Sequence, residues 1–141
     1  MIEELLKHLG AEAERSINGR DWEAYGRLFA ESVVMQTPFP GPRRGRDSRV
    51  KMVQGIIEAF PDGRVEAKRS FGQGDWGCME LMFTGTHGGP LLGPGGKTIP
   101  ATNKPVRFPY CIVVKFENGE ITELNEYFDQ VEILSQLGLM E

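Results

Sequence analysis

Ile2, Leu5, Leu6, Leu9, Ala13 and Ile17 recur at the three- and four-residue spacing of an amphipathic helix. Asn18 and Gly19, which tolerate a left-handed cap, predict its end. Asp21 is placed to cap a second helix over DWEAYGRLFAES, where Trp22, Tyr25 and Phe29 share a face with Leu28 beside them. VVMQT (33–37) predicts a short strand, and PFPGPRRGR an irregular loop after it. Asp47 or Ser48 is placed to cap a third helix. Its buried stripe is Val50, Val53, Ile56, Ile57 and Phe60, and Pro61 ends it. RVEAKRSF (64–71) alternates weakly, as an edge strand does. WGCMELMFTGTH (76–87) and VRFPYCIVVKF (106–116) are long strands flanking an irregular, Gly-rich stretch, 88–105. Pro109 has no N–H for a ladder and demands an edge or a bulge. Asn118-Gly119 predicts a hairpin turn, ITELNEYFD the closing strand, and VEILSQLGL a short terminal helix or tail.

Helices grouped before a run of hairpin-joined strands predict an α+β fold. Three N-terminal helices packed on a strongly curved, mainly antiparallel sheet would form a cone. The chain, 1–141, has the length of a single domain. The wide end of the cone is the place for a small ligand.

Composition narrows the partners. A net charge of −4 lacks the concentrated basic face that nucleic acid requires. The acidic, amphipathic N-terminus is unlike a signal peptide, and no apolar run approaches a membrane span, so a cytoplasmic location without membrane is expected. Cys78 and Cys111, both in apolar runs, are expected as reduced, buried thiols. Two histidines and two distant cysteines offer no metal-ligand pattern. GGPLLGPGG lacks the Lys-Ser/Thr of a phosphate loop and reads as a lid or hairpin tip. No cofactor is expected. Arg43, Arg44, Arg46 and Arg49 form a basic cluster, read as a solvated patch or an anion-steering rim. His8, between Glu4 and Glu12 at helical spacing, reads as part of a solvated ion-pair face.

DWEAYGRLFAESVVMQTP, GRDSRVKMVQGIIEAFPD, FTGTHGG, IPATNKPV and NGEITELNEYFDQVEILSQLGL, in this order, make the chain resemble the SnoaL-like polyketide cyclases of the nuclear-transport-factor-2-like superfamily. The resemblance implies the cone fold. In such cyclases a strand-end Asp acts as general acid/base in an aldol ring closure; Asp129 matches it, and His87 of the GTH segment matches a cavity His. Epoxide hydrolases of the same fold share the Phe-Asp strand end. They also need an Arg and an Asp two residues apart on the neighbouring strand, where this chain reads Thr84-Gly85-Thr86-His87. Asn103 stands where a Gly is common in the family's PAT loop.

Strand parity groups Asn125, Tyr127 and Asp129 on one face and Leu124, Glu126 and Phe128 on the other. The resemblance turns the first set toward the cavity. Leu124 and Phe128 would then lie on the outer sheet face, where a homodimer would bury them. Asp129 has two readings, an N-cap for the tail or a base whose pKa is raised among aromatics. His87 either satisfies a backbone carbonyl or donates to an oxygen that gains charge. The expected function is a cofactor-independent acid/base enzyme, an aldol-type cyclase or isomerase, acting on a small, largely apolar carbonyl compound. Asp129 and His87 would be catalytic, and Asn125, Tyr127, Trp22 and Tyr25 would contact the substrate. The alternatives are a non-catalytic small-molecule-binding or dimerisation domain and, weakened by the missing Arg–Asp pair, an epoxide hydrolase.

Overall fold

The computed structural model describes residues 1–38 and 41–140. Phe39 and Pro40 of the predicted PFPGPRRGR loop, and Glu141 at the end of the predicted domain, lie outside the described residues.

Helix α1 (Ile2–Asn18) buries Leu6, Leu9, Ala13 and Ile17. Its end departs from the expected cap. Gly19 has φ −90°, and the left-handed residue is Arg20, φ 59°. Asn18 is engaged elsewhere: its amide brackets Val65, accepting from the N–H at 2.9 Å and donating to the C=O at 3.0 Å. The Arg20 guanidinium holds the reversal by donating to the carbonyls of Ile17, Gly63 and Pro61 at 2.8–2.9 Å. Helix α2 (Trp22–Gly26) is capped by Asp21 as expected, but it makes little more than one turn. The helix predicted through Ser32 is cut short because Phe29 already belongs to strand β1 (Phe29–Gln36). A strand partner overrides the helical spacing there. After β2 (Arg43–Arg44), helix α3 (Arg46–Ala59) starts at Gly45, φ 101°, with neither Asp47 nor Ser48 as side-chain cap.

Strands β3 (Arg64–Gln73), β4 (Trp76–Thr86), β7 (Pro105–Glu117) and β8 (Glu120–Tyr127) form antiparallel neighbours. Asn118 and Gly119, φ 53° and 80°, make the predicted turn. The six-stranded order is β2-β1-β8-β7-β4-β3, with β1 and β8 parallel. Register shifts at Ala67/Arg69, Lys115/Phe116 and Phe29/Val34 bend the sheet. The stretch 88–105 is less irregular than expected: β5 (Leu91–Leu92) and β6 (Thr98–Ile99) pair as a small hairpin.

Pro109 pairs with Met82 on one side, while β8 reaches only to Cys111. Arg107, of the same parity, exchanges backbone hydrogen bonds with the Gln136 amide at 2.7 and 2.8 Å. The missing N–H of Pro109 therefore faces a local edge, as its chemistry demands. Gln136 ends helix α4 (Gln130–Gln136), which lies against β7.

The concave face carries Met79, Leu81 and Phe83 of β4, and Val106, Ile112 and Val114 of β7, under α1 and α3. Among the described residues no helix is long and apolar enough to cross a membrane. Cys78 and Cys111 are free thiols, half-buried rather than buried.

Candidate functional site

Helix α3 presents Val53, Ile56 and Ile57 to a cavity, and of the three only Ile57 is buried. Phe60, Phe83, Phe108 and Phe128 form the facing wall, and Leu91, Leu92 and Ile99 of the hairpin close one side. The aromatic wall is continuous. Phe60–Phe83, Phe83–Phe108 and Phe108–Phe128 have centroid separations of 5.4, 5.3 and 6.5 Å. Exposed Ile56 and Leu92 mark the mouth.

The charged groups of the lining are a single pair, and Tyr110 and Gln130 are its other polar members. Arg49 of α3 and Glu126 of β8 both line the cavity and are 4% and 8% exposed. The guanidinium grips both carboxylate oxygens at 3.2 Å, and its Nε donates to the Tyr25 hydroxyl at 3.0 Å. Five guanidinium N–H groups exist, so two remain after these three bonds. Burial opposes the Arg49 charge, but Glu126 and Tyr25 more than offset it and hold its pKa above the ordinary range. Burial pushes the Tyr25 phenol up as well. Tyr110 of β7 lines the same cavity. Burial, then the nearby Glu126 charge, pushes its phenol far above the usual value. Among the described residues the Tyr110 hydroxyl has no hydrogen-bond partner.

The expected site residues fall elsewhere. The alternation holds along β8, but its two faces are exchanged. Leu124 is fully buried, and Glu126 and Phe128 line the cavity; Asn125 and Tyr127 face outward. The apolar members of the strand claim the core, and a period-two pattern carries the polar set outward with them. Tyr127 is 56% exposed, and Asn125 donates to Glu123 at 3.2 Å. Asp129 is exposed and caps α4, its Oδ1 accepting from the Glu132 N–H at 3.1 Å. His87 is fully buried, with its ring against Phe60 at 5.4 Å. Its Nδ1 accepts from the Thr102 N–H at 3.2 Å and lies 3.0 Å from the Thr102 hydroxyl. It does not line the cavity, so Asp129 and His87 do not share a pocket. Trp22 borders a separate shallow hollow between α2 and α3, edge-on to Tyr25. Only Tyr25 joins the site, through Arg49. Asn103 adopts φ 59°, the backbone that Gly supplies without strain and Asn tolerates.

A model of the SnoaL-like polyketide cyclases matches residues 9–137. The chain belongs to that family. Solved structures agree with the SnoaL-like assignment in fold. IdmH from Streptomyces antibioticus, a candidate polyketide cyclase, aligns at TM-score 0.76 and 25% identity, over 94% of this chain and 97% of its own. TsrD from Streptomyces laurentii aligns at 0.82 and 18%, over 96% of each chain. A protein of ketosteroid isomerase-like fold from Catenulispora acidiphila, in complex with trimethylamine, aligns at 0.75 and 20%, over 93% of this chain and 92% of its own. No curated protein matches the chain. The architecture is therefore the α+β, nuclear-transport-factor-2-like fold of this SnoaL-like family, with its cavity between α3, the sheet and the 91–99 hairpin.

Proposed function

We propose that the chain is a cofactor-independent acid/base enzyme of cyclase or isomerase type, acting on a small, largely apolar carbonyl compound. The observation that carries this reading is a carboxylate, a guanidinium and an unpartnered phenol at one end of an apolar cavity. The Glu126 carboxylate takes a proton from the carbon next to the carbonyl. The two remaining Arg49 N–H groups and the Tyr110 hydroxyl donate to the oxygen where negative charge develops. The enolate then attacks a second carbonyl carbon, and Glu126 returns its proton to the new alkoxide; without a second carbonyl, the proton returns to another carbon. Asp129 acts as a helix cap and His87 as a clamp on the 102–104 loop.

Phenylacetone tests this, because its benzylic carbon is activated by ring and carbonyl together. In D₂O, wild-type protein is expected to speed exchange at that carbon above background, followed by NMR. Tyr110→Phe should slow it, and Glu126→Gln should return it to background in samples that circular dichroism shows to be folded. Equal exchange by wild type and Glu126→Gln removes Glu126 from the mechanism.

One observation favours a second reading, ligand binding without turnover: both Glu126 oxygens are already held by Arg49. Binding of phenylacetone with no exchange would select it. A homodimer through the outer sheet face also belongs to this proposal. That face carries the exposed side chains of Phe71, Trp76 and Tyr127 beside Cys78, Cys111 and Val113. Sedimentation should give a dimer that Tyr127→Lys weakens; a strict monomer sinks it.

A further inference from the structure

We infer that the cavity selects a neutral compound with a single ring and one inward-pointing acceptor oxygen, and excludes the fused multi-ring skeletons that a polyketide cyclase name suggests. This rests on the acid/base reading for its chemistry but on separate observations for its size and charge.

Size comes first. The cavity volume is about 160 Å³. An apolar cavity of about 150 Å³ takes benzene, whereas sites for drug-sized ligands run to about 300–1,000 Å³. On its aromatic side the wall offers little room to yield. Phe60 and Phe83 are 3% and 4% exposed, and Phe83 is wedged between Phe60 and Phe108. Behind Phe60 stands buried His87, itself tied to Thr102. On the hairpin side, Ile99 packs over Gly93, where an added Cβ would sit 2.6 Å from its Cδ1.

Charge comes second. Arg49 and Glu126 cancel, so the deep end has no net formal charge to offer an ion. An anion there would meet the Glu126 carboxylate and a cation the Arg49 guanidinium, each without a free counter-charge in an apolar surrounding. The groups left over beside the ion pair are donors, two Arg49 N–H groups and the Tyr110 O–H, while Gln130, which also lines the cavity, can donate or accept. These donors match one uncharged acceptor, such as a ketone oxygen. The Phe83 and Phe108 rings, inclined by 34° to each other, offer aromatic surface to one aromatic or cyclohexenone-like ring.

Four probes differing in one property each test the inference by protein NMR titration: phenylacetone, propylbenzene without the oxygen, phenylacetate with a charge, and 2-naphthylacetone with a second ring. Phenylacetone should bind about fivefold tighter than propylbenzene, the worth of one net hydrogen bond, and Tyr110→Phe should reduce that ratio. Phenylacetate should bind at least roughly tenfold weaker than phenylacetone, since its charge goes unpaired. 2-Naphthylacetone should bind no tighter than phenylacetone, although its added apolar area would strengthen binding in a roomier site. Tighter binding by the naphthyl ketone, preference for phenylacetate, or no perturbation of cavity resonances by any probe overturns the inference. The two proposals fail separately. The expected affinity order with no deuterium exchange keeps this inference and ends the acid/base reading; tight binding and exchange of the naphthyl ketone does the reverse.

Discussion

Glu126→Gln tests how far the Arg49–Glu126 pair is removed from water. The substitution preserves shape but leaves Arg49 charged, 4% exposed and facing an amide that can accept only one of its two hydrogen bonds. Breaking one side of a buried ion pair costs about 3–5 kcal/mol. Both contacts are 3.2 Å, longer than the ~2.8 Å of tight charge-assisted bonds, and the remaining amide oxygen keeps one of them. The expected loss is therefore at the low end, about 3 kcal/mol. Arg49→Met should cost at least as much, because it strands the carboxylate. The double variant Arg49→Met/Glu126→Leu removes both charges and leaves only the Tyr25 hydroxyl without its donor, for roughly 1–2 kcal/mol. Urea unfolding followed by circular dichroism measures all three. The double variant should be more stable than either single one. Additive losses, or a loss below about 1 kcal/mol for Glu126→Gln, would mean that water reaches the pair and that the proposed site chemistry has the wrong dielectric setting.

Three further outcomes follow from the geometry. Burial raises the folded-state pKa of Tyr25 and Tyr110, so the native protein keeps protons that the unfolded chain releases near pH 10. Stability should be intact below that pH and fall as pH rises above it, and phenolate absorbance from two of the three tyrosines should appear only with unfolding. Asp129→Asn should retain the α4 cap and any ketone exchange activity, while Asp129→Ala should lose about 1 kcal/mol in thermal or urea unfolding; loss of exchange in Asp129→Asn alone would restore the catalytic role. Gly77→Ala would bring a Cβ within 2.5 Å of Leu6 Cδ2, and the overpacking of α1 on β4 should destabilise by roughly 1–3 kcal/mol on calorimetry, with Leu6→Val relieving part of it.

The long strands, α1 and α3 were legible because each states its period over many residues, and the Asn118-Gly119 turn because its two residues take the left-handed backbone the hairpin needs. The one-turn α2 was not. Tyr25 and Phe29 have helical spacing, yet pairing of Phe29 with Ile121 falls across 92 positions of chain and leaves no local trace. The site was half legible. Arg49 stands four residues before Val53 on the apolar stripe of α3, and Glu126 stands between Leu124 and Phe128 in the apolar set of β8. A charge inside each buried pattern, of opposite sign, marked the pair. What hid it was giving the inward face to Asp129 and its companions against the hydrophobic parity of the strand.

The place of β8 has a consequence for how the molecule is made. It is the last strand in chain order but lies inside the sheet, between β1 and β7. Until it arrives, both neighbours expose unpaired backbone, and β1, which joins the large sheet only through β8, stays detached from β7, β4 and β3. Sheet closure thus waits for pairings such as Met35 with Leu124, a long-range step that slows folding. A nascent chain stalled short of Tyr127 would be left with open edges, the form in which β proteins aggregate.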